Sequence, residues 1–438
     1  MAGPLSTPGA RDMPGPRDTL VRGGLVVYPE GRRSGDVVLS GGRVEAIEPP
    51  GSVDTTGVEV FDAGGLWVLP GLLDAHVHLQ EPGRESWEGF DTGSAAAAAG
   101  GVTTVVDMPI DSDPPTTTAA LVHAKVEAAR RTSRVDVAIW GGLTAGSVGA
   151  MGEMADAGVA GFKAFACPSG WADFPPADTD TLHAGMVEAA RAGLPVAVHC
   201  ELAHLGHSPE SEVAAIRWAA GLAARAGARL HVVHVSAAEA VDEAVSWPGV
   251  TVETCPHYLL LDDHEADSIG PTARCAPPIR GPANRVALWE RVCQGAVDTI
   301  ASDHSPCPPE ARHGPSPWSG IDGLGLALPL LVSGGLPLER LVNLTTAAAH
   351  LLRLPGKGRL AVGADADLAL VDPSETWTVG PTTTWSRHRS SPFAGRRVQG
   401  RVVLTVRRGQ VIFSAANGPS EAGGGRFLRP SPAPGGAG

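Results

Sequence analysis

Lysine is nearly absent from this chain of 438 residues: of 34 basic residues only three are lysine, at positions 125, 163 and 357. A basic stripe is missing too. With a formal net charge of -13 and a pI near 5.6, the chain offers no footprint for nucleic acid or an anionic membrane surface. No apolar run reaches the ~18 residues of a membrane span. The opening stretch "MAGPLSTPGARDMPGPRD" holds no apolar core of a secretory signal, so a cytoplasmic location is expected. The six cysteines include no CxxC pair and read as reduced thiols, not as a disulfide framework. No repeat of solenoid length is present either.

What is present is a large apolar fraction, 43%, enough for one large catalytic domain and a smaller one. Short β-branched runs recur: "LWVLPGLLDAHVHL", "VTTVVDMP", "VDVAIWGG", "GFKAFAC", "PVAVHCE", "RLHVVHVS", "VTVETCPHYL" and "VDTIASDH". Ala-rich, helix-compatible stretches separate them. One, "SEVAAIRWAAGLAARAG", follows a Ser208 N-cap and Pro209 at the first helical position. Near-continuous apolar strands alternating with helices predict a parallel sheet buried on both faces. Eight units over about 240 residues fit a closed (β/α)8 TIM barrel, an α/β fold, with an open doubly wound sheet as the alternative. The barrel is expected over 67–356. Residues 18–66 and 357–415 read as short strands between Gly-rich turns and should form one small β-sandwich domain from both chain ends. Residues 1–17 and 416–438, rich in Pro, Gly, Ala and Ser, are expected to be disordered tails.

Polar residues gather at the predicted C-terminal strand ends, which a barrel brings onto one rim. His76 and His78, two apart, share a strand face and could clamp a metal ion. Lys163 sits inside an apolar strand of a chain that otherwise prefers arginine. That placement points to amine chemistry, because a lysine changes its pKa on burial and arginine does not; a paired or snorkelling lysine is the plainer alternative. His199 ends the fifth run. His231 and His234 lie three apart, so only one can point inward on a strand, and His234 is nearer the rim. Asp303 and His304 end the eighth run, one of them facing the axis. Asp74 is expected to share the face of His76. His123, His183, His264, His313, His350 and His388 read as surface or supporting residues, and Lys125 as lying on a helix surface.

These motifs together resemble the amidohydrolase superfamily, in its cyclic-amide branch of dihydroorotases, hydantoinases and allantoinases. The resemblance runs from about residue 20 to residue 415, ending in "GKGRLAVGADADLALVD". It implies two divalent metal ions, zinc foremost, with cobalt, manganese, iron or nickel as alternatives. His76, His78 and Asp303 would hold one ion and His199 and His234 the other, with Lys163, carboxylated by CO2, bridging both. Asp303 would also carry the catalytic proton. "HLQEPGRESWEGFDTGSAAAAAGGVTTVVDMP", "SGWADFP", "RCAPPIR" and "SRHRSSPFAG" are most similar to allantoinases, which implies opening of the hydantoin ring of allantoin to allantoate. Gln80 stands where dihydroorotases carry an arginine for the substrate carboxylate. Asp111 replaces an expected asparagine and is a candidate substrate contact, and "CELAHLGH" after His199 is shorter than usual. A hydantoinase or dihydropyrimidinase with the same metals, and a metal-free scaffold relative, are the alternatives. The resemblance further implies a homo-oligomer, a tetramer, working on a small cyclic amide.

Overall fold

The computed structural model describes residues 19–432, so the predicted tail 1–17 and residues 433–438 of the predicted C-terminal tail lie outside the described residues. Five strands come first: β1 (Thr19–Tyr28), β2 (Gly31–Ser40), β3 (Arg43–Glu48), β4 (Glu59–Asp62) and β5 (Trp67–Pro70). Eight follow in β/α alternation: β6 (Leu72–Val77), β7 (Val102–Asp107), β8 (Asp136–Gly142), β9 (Gly161–Phe165), β10 (Pro195–His199), β11 (Arg229–Val232), β12 (Thr251–Thr254) and β13 (Thr299–Ile300). The chain ends with β14 (Leu368–Thr378), β15 (Arg397–Arg407), β16 (Gln410–Ser414) and β17 (Gly418–Pro419).

Strands β6 to β13 pair in sequence order, all parallel. The sheet closes on itself where Val77 bridges His304 and the His78 N–H donates to the His304 carbonyl at 2.7 Å. An open sheet is thereby excluded. Outward residues such as Phe162, Val196, Val198, Leu230 and Val232 join the main core under the helices. Inward Leu73, Ala75, Ala138, Trp140, Ala197 and Val233 fill the barrel itself. Helix Pro209–Ala226 begins as its sequence dictates: the Ser208 side chain accepts the Ser211 N–H, Pro209 opens the first turn, and Gly227 ends it at φ 65°.

The remaining nine strands form one mixed sheet from both chain ends, in the order β17-β16-β15-β14-β5-β1-β2-β3 with β4 beside β1. As expected, one domain is built from both ends: the sheet curls so that Val37, Leu39 and Val44 share a core with Leu368, Leu370, Leu404 and Val406. Trp67–Pro70, assigned to the barrel from its apolar run, pairs instead with β1 and β14. The C-terminal tail also departs from expectation. Residues 416–432 are placed, because β8 has a free edge where it starts. There Val137 donates to the Arg426 carbonyl and accepts from the Leu428 N–H, at 2.9 and 2.8 Å. Backbone groups buried beside a strand need such partners, and low-complexity composition does not prevent a chain from supplying them. Among the described residues no helix is long and apolar enough to cross a membrane.

All three lysines are buried. Lys125, expected on a helix surface, turns under its helix to reach the Asp107 carboxylate and the Met108 carbonyl. The other oxygen of Asp107 accepts the Leu79 N–H at 2.7 Å, so this pair ties the ends of the first two barrel strands. Lys357 sits where the barrel meets the mixed sheet, its Nζ 2.6 Å from Asp136 and 2.8 Å from both Asp365 and Asp367. Burial alone would lower the pKa of this amine; the carboxylates more than reverse it. Replacing Lys357 by methionine leaves buried carboxylates without their cation and should cost about 3–5 kcal/mol. A lower denaturation midpoint checks this, against Arg130→Ala on an exposed helix face, which should shift stability by no more than about 0.5 kcal/mol.

Candidate metal centre

The site forms at the C-terminal rim of the barrel because three strands depart from regular geometry there. Along β6 the pairing runs Asp74 to Val105 and then Val77 to Asp107. That inserts one extra residue, a bulge that re-aims the side chains beyond it. Val77 turns out into the main core, while His76 and His78 bring their rings to 5.4 Å. Asp74 does not share their face. It is buried beside the barrel closure and accepts the N–H groups of His76 and Ser302; burial raises its pKa to about 6.

Lys163, Ala197 and His231 lie in register on β9, β10 and β11, and Ala197 belongs to the barrel interior. His231 therefore faces inward, against the strand-face reading made from sequence. His234 nevertheless reaches the rim. The strand ends at Val232 and the backbone at His234 is left-handed, φ 42°, so alternation no longer governs it. Asp303 follows β13 with φ 48° for the same effect, and adjacent His304 points away toward Glu88 and Asp322.

The six predicted residues, His76, His78, Lys163, His199, His234 and Asp303, are all buried and meet in two linked groups. Asp303 Oδ1 lies 3.3 Å from His76 Nε2 and 3.4 Å from His78 Nε2. Donor atoms of these three residues all fall within 4.8 Å of one another, a spacing that one cation can span. His199 Nδ1 and His234 Nε2 face each other at 3.0 Å. The His234 ring is 5.3 Å from that of His76, which joins the groups. Lys163 couples to both, its charge acting on His76, His199 and His234. Its Nζ is fully buried without a hydrogen-bond partner, 4.5 Å above the Phe165 ring, and burial lowers its pKa to about 8.

Carboxylates behind the imidazoles decide which ring nitrogen is free. His76 Nδ1–H donates to Glu253 at 2.7 Å and His199 Nε2–H to Glu201 at 2.8 Å, while His78 Nδ1 makes an ion-pair contact with Asp111 Oδ2 at 2.6 Å. Each carboxylate favours a ring N–H on its own side and turns the other nitrogen toward the centre, as supporting carboxylates do at metal sites. Burial works against the charge of Glu253, yet His76 and His231 hold its pKa at about 2. Asp111, expected at the substrate, is committed instead to His78 and to the Trp171 indole N–H, also at 2.6 Å.

Residues 67–412 match the Amidohydrolase family. The chain belongs to that family. It is 44% identical to an allantoinase of Rubrobacter xylanophilus, over 94% of this chain and 98% of that one. It is 40% identical to an allantoinase of Deinococcus radiodurans, over 94% and 99%. Among solved structures, the L-hydantoinase (dihydropyrimidinase) from Arthrobacter aurescens superposes with a TM-score of 0.89 at 32% identity, over 94% of this chain and all (100%) of that one.

This amidohydrolase thus carries a buried His/His/Asp cluster typical of its metal-dependent relatives. Glu253, Glu201 and His257 escaped sequence reading. Glu253 had the signal that marked Lys163, a charged residue within an apolar strand, and Glu201 lies two residues beyond His199. His257, buried on the turn after β12, has its pKa lowered to about 4 by burial and keeps an unpartnered Nε2. Glu253→Gln keeps the shape but weakens the hold on His76. Metal affinity of this variant should fall by about 10–100-fold, read by competition with a chelator; unchanged affinity would show that Glu253 does not orient His76.

Proposed function

We propose that this amidohydrolase opens the hydantoin ring of allantoin to give allantoate, at a centre of two divalent ions. His76, His78 and Asp303 would hold one ion, His199 and His234 the other, and Lys163, once carboxylated on Nζ, would serve both. The residues present fit such a filling. A fully buried amine without a partner, beside imidazoles of which His76, His78 and His199 already face carboxylates with their outer nitrogens, is costly unless the site is occupied. Zinc suits the imidazole and carboxylate donors. Bound there, the ions would supply a water acidic enough to attack at neutral pH and would polarise the ring carbonyl.

Asp303 handles the proton. Burial would raise its pKa, but the facing His76 and His78 keep it low, so it is ionised and ready to accept a proton from the attacking water. It can then deliver that proton to the departing ring nitrogen. The loop 305–320 borders the site: Trp318 donates its indole N–H to the Ser305 carbonyl and packs against Trp87 and Trp171, with ring centroids 5.1 and 5.6 Å away. Gln80, buried beside this loop, donates to the Pro306 carbonyl at 2.8 Å and keeps its Oε1 unpartnered.

Gln80 carries the substrate reading. It is neutral, so no cation at this position meets a substrate carboxylate, and its free oxygen can accept a ring N–H. Allantoin is uncharged and rich in N–H donors. Arg84, the nearby cation, is committed to the Asp111 carbonyl and to stacking on Trp171 at 3.8 Å. Full-length likeness to allantoinases supports the same reading. The structural likeness to a hydantoinase favours a second one, in which hydantoin or dihydrouracil is opened by the same groups; the intact donor set argues against a scaffold. As the resemblance implies, the working form is a homo-oligomer. Zinc-loaded protein offered allantoin, hydantoin, dihydrouracil and dihydroorotate should open allantoin with the highest kcat/KM. Dihydroorotate should fall about 100-fold or more below it, since a buried charge without its partner costs 2–5 kcal/mol. Efficient dihydroorotate turnover with allantoin untouched would overturn the assignment.

A further inference from the structure

Asp111 offers two acceptor oxygens; one takes an obligate donor, the Trp171 indole, and the other sits in ion-pair contact with an imidazole nitrogen that must carry a proton to face a carboxylate. Its Oδ2 is 2.6 Å from His78 Nδ1, whose ring presents Nε2 to Asp303. Its Oδ1 is 2.6 Å from the indole N–H of Trp171, a group that can only donate. The backbone at Asp111 is left-handed, φ 74°. Its carbonyl accepts from Arg84 Nη1 at 2.8 Å, and the Arg84 guanidinium lies 3.8 Å over the Trp171 ring. Asp111, Trp171 and Arg84 therefore close a small cycle of contacts behind His78. No such contact from Asp111 reaches His199, whose outer partner is Glu201, or His234.

An asparagine in this place could satisfy one donor but not both. With its oxygen on His78, its amide N–H groups would face the indole N–H; with its oxygen on Trp171, they would face His78 Nδ1–H. A buried donor opposed by a donor is left unsatisfied, so the ring of His78 would turn or move its proton to Nε2, the nitrogen that faces the cation.

We propose that Asp111 and Trp171 act as a positioning pair that fixes the tautomer and tilt of His78. Retention of the cation held by His76, His78 and Asp303 then depends on a tryptophan of the rim, while the cation at His199 and His234 does not. The proposal rests on the metal-centre reading above.

Zinc retained per chain, measured by titrating zinc-loaded protein with a chelator, tests it without reference to turnover. Asp111→Asn should release one of two zinc ions about 10–100-fold more readily, the second unchanged. Trp171→Phe alone should weaken the same ion, because Asp111 loses its anchor. The double variant Asp111→Asn, Trp171→Phe should hold that ion more tightly than Asp111→Asn, since no indole N–H then opposes the amide. Rescue of this sign is not expected from a residue that only stabilises the fold. If Asp111→Asn does not fold, as judged by thermal melting, Trp171→Phe decides by itself. Asp111→Asn, or in that case Trp171→Phe, releasing both ions as wild type does overturns the proposal, and so does a double variant no better than Asp111→Asn. Wild-type protein that binds no zinc at all would overturn the metal-centre reading and this inference together.

Discussion

An amine fully buried in a barrel, with no hydrogen-bond partner, is the constraint around which the site is built. Lys163 Nζ lies on an inward face of β9 among imidazoles and Asp303. An isolated ammonium is expensive to bury, and the usual remedies are neutralisation or pairing. Elsewhere this chain pairs its buried lysines: Lys125 has Asp107, and Lys357 has its three aspartates. Lys163 alone of the three has no such cage. Burial lowers its pKa to about 8, which brings the uncharged, CO2-reactive amine within reach of neutral pH.

Backbone geometry and buried carboxylates turn that amine into the middle of an organised centre. Gln80, Asp111, His234 and Asp303, all at the rim, have left-handed backbones, with φ between 42° and 74°. Non-glycine residues pay for that conformation in strain, and such strain collects where surrounding structure fixes side chains for function. The barrel closure contributes as well. Asp74 binds the Ser302 N–H and Val77 bridges His304, so the last strand is held against the first and Asp303 meets His76 and His78.

Much of this was legible in the sequence. The alternation of apolar runs gave eight barrel strands because buried parallel strands need continuous hydrophobicity. His76 and His78 stood out by spacing, and Lys163 by the scarcity of its type. What failed was the extension of local rules past the point where they apply. Strand alternation was carried from His231 to His234 although the strand stops between them. Helix polarity placed Lys125 outside, because a buried partner from another strand leaves no local trace. The same holds for Asp111, whose role depends on Trp171, 60 residues away. Composition suggested disorder from residue 416 onward, but an unpaired strand edge elsewhere in the fold recruits residues 426–428.

The central claim is that Lys163 bridges two metal ions rather than anchoring substrate as a cation. Metal analysis of purified Lys163→Ala tests it most directly, with Lys163→Arg beside it because a guanidinium stays protonated and cannot form a carbamate. Both variants should lose metal and activity together, and a short carboxylic acid in solution should partly restore both to the alanine variant only. Full metal occupancy in Lys163→Ala, with the defect confined to a raised KM, would contradict the bridge.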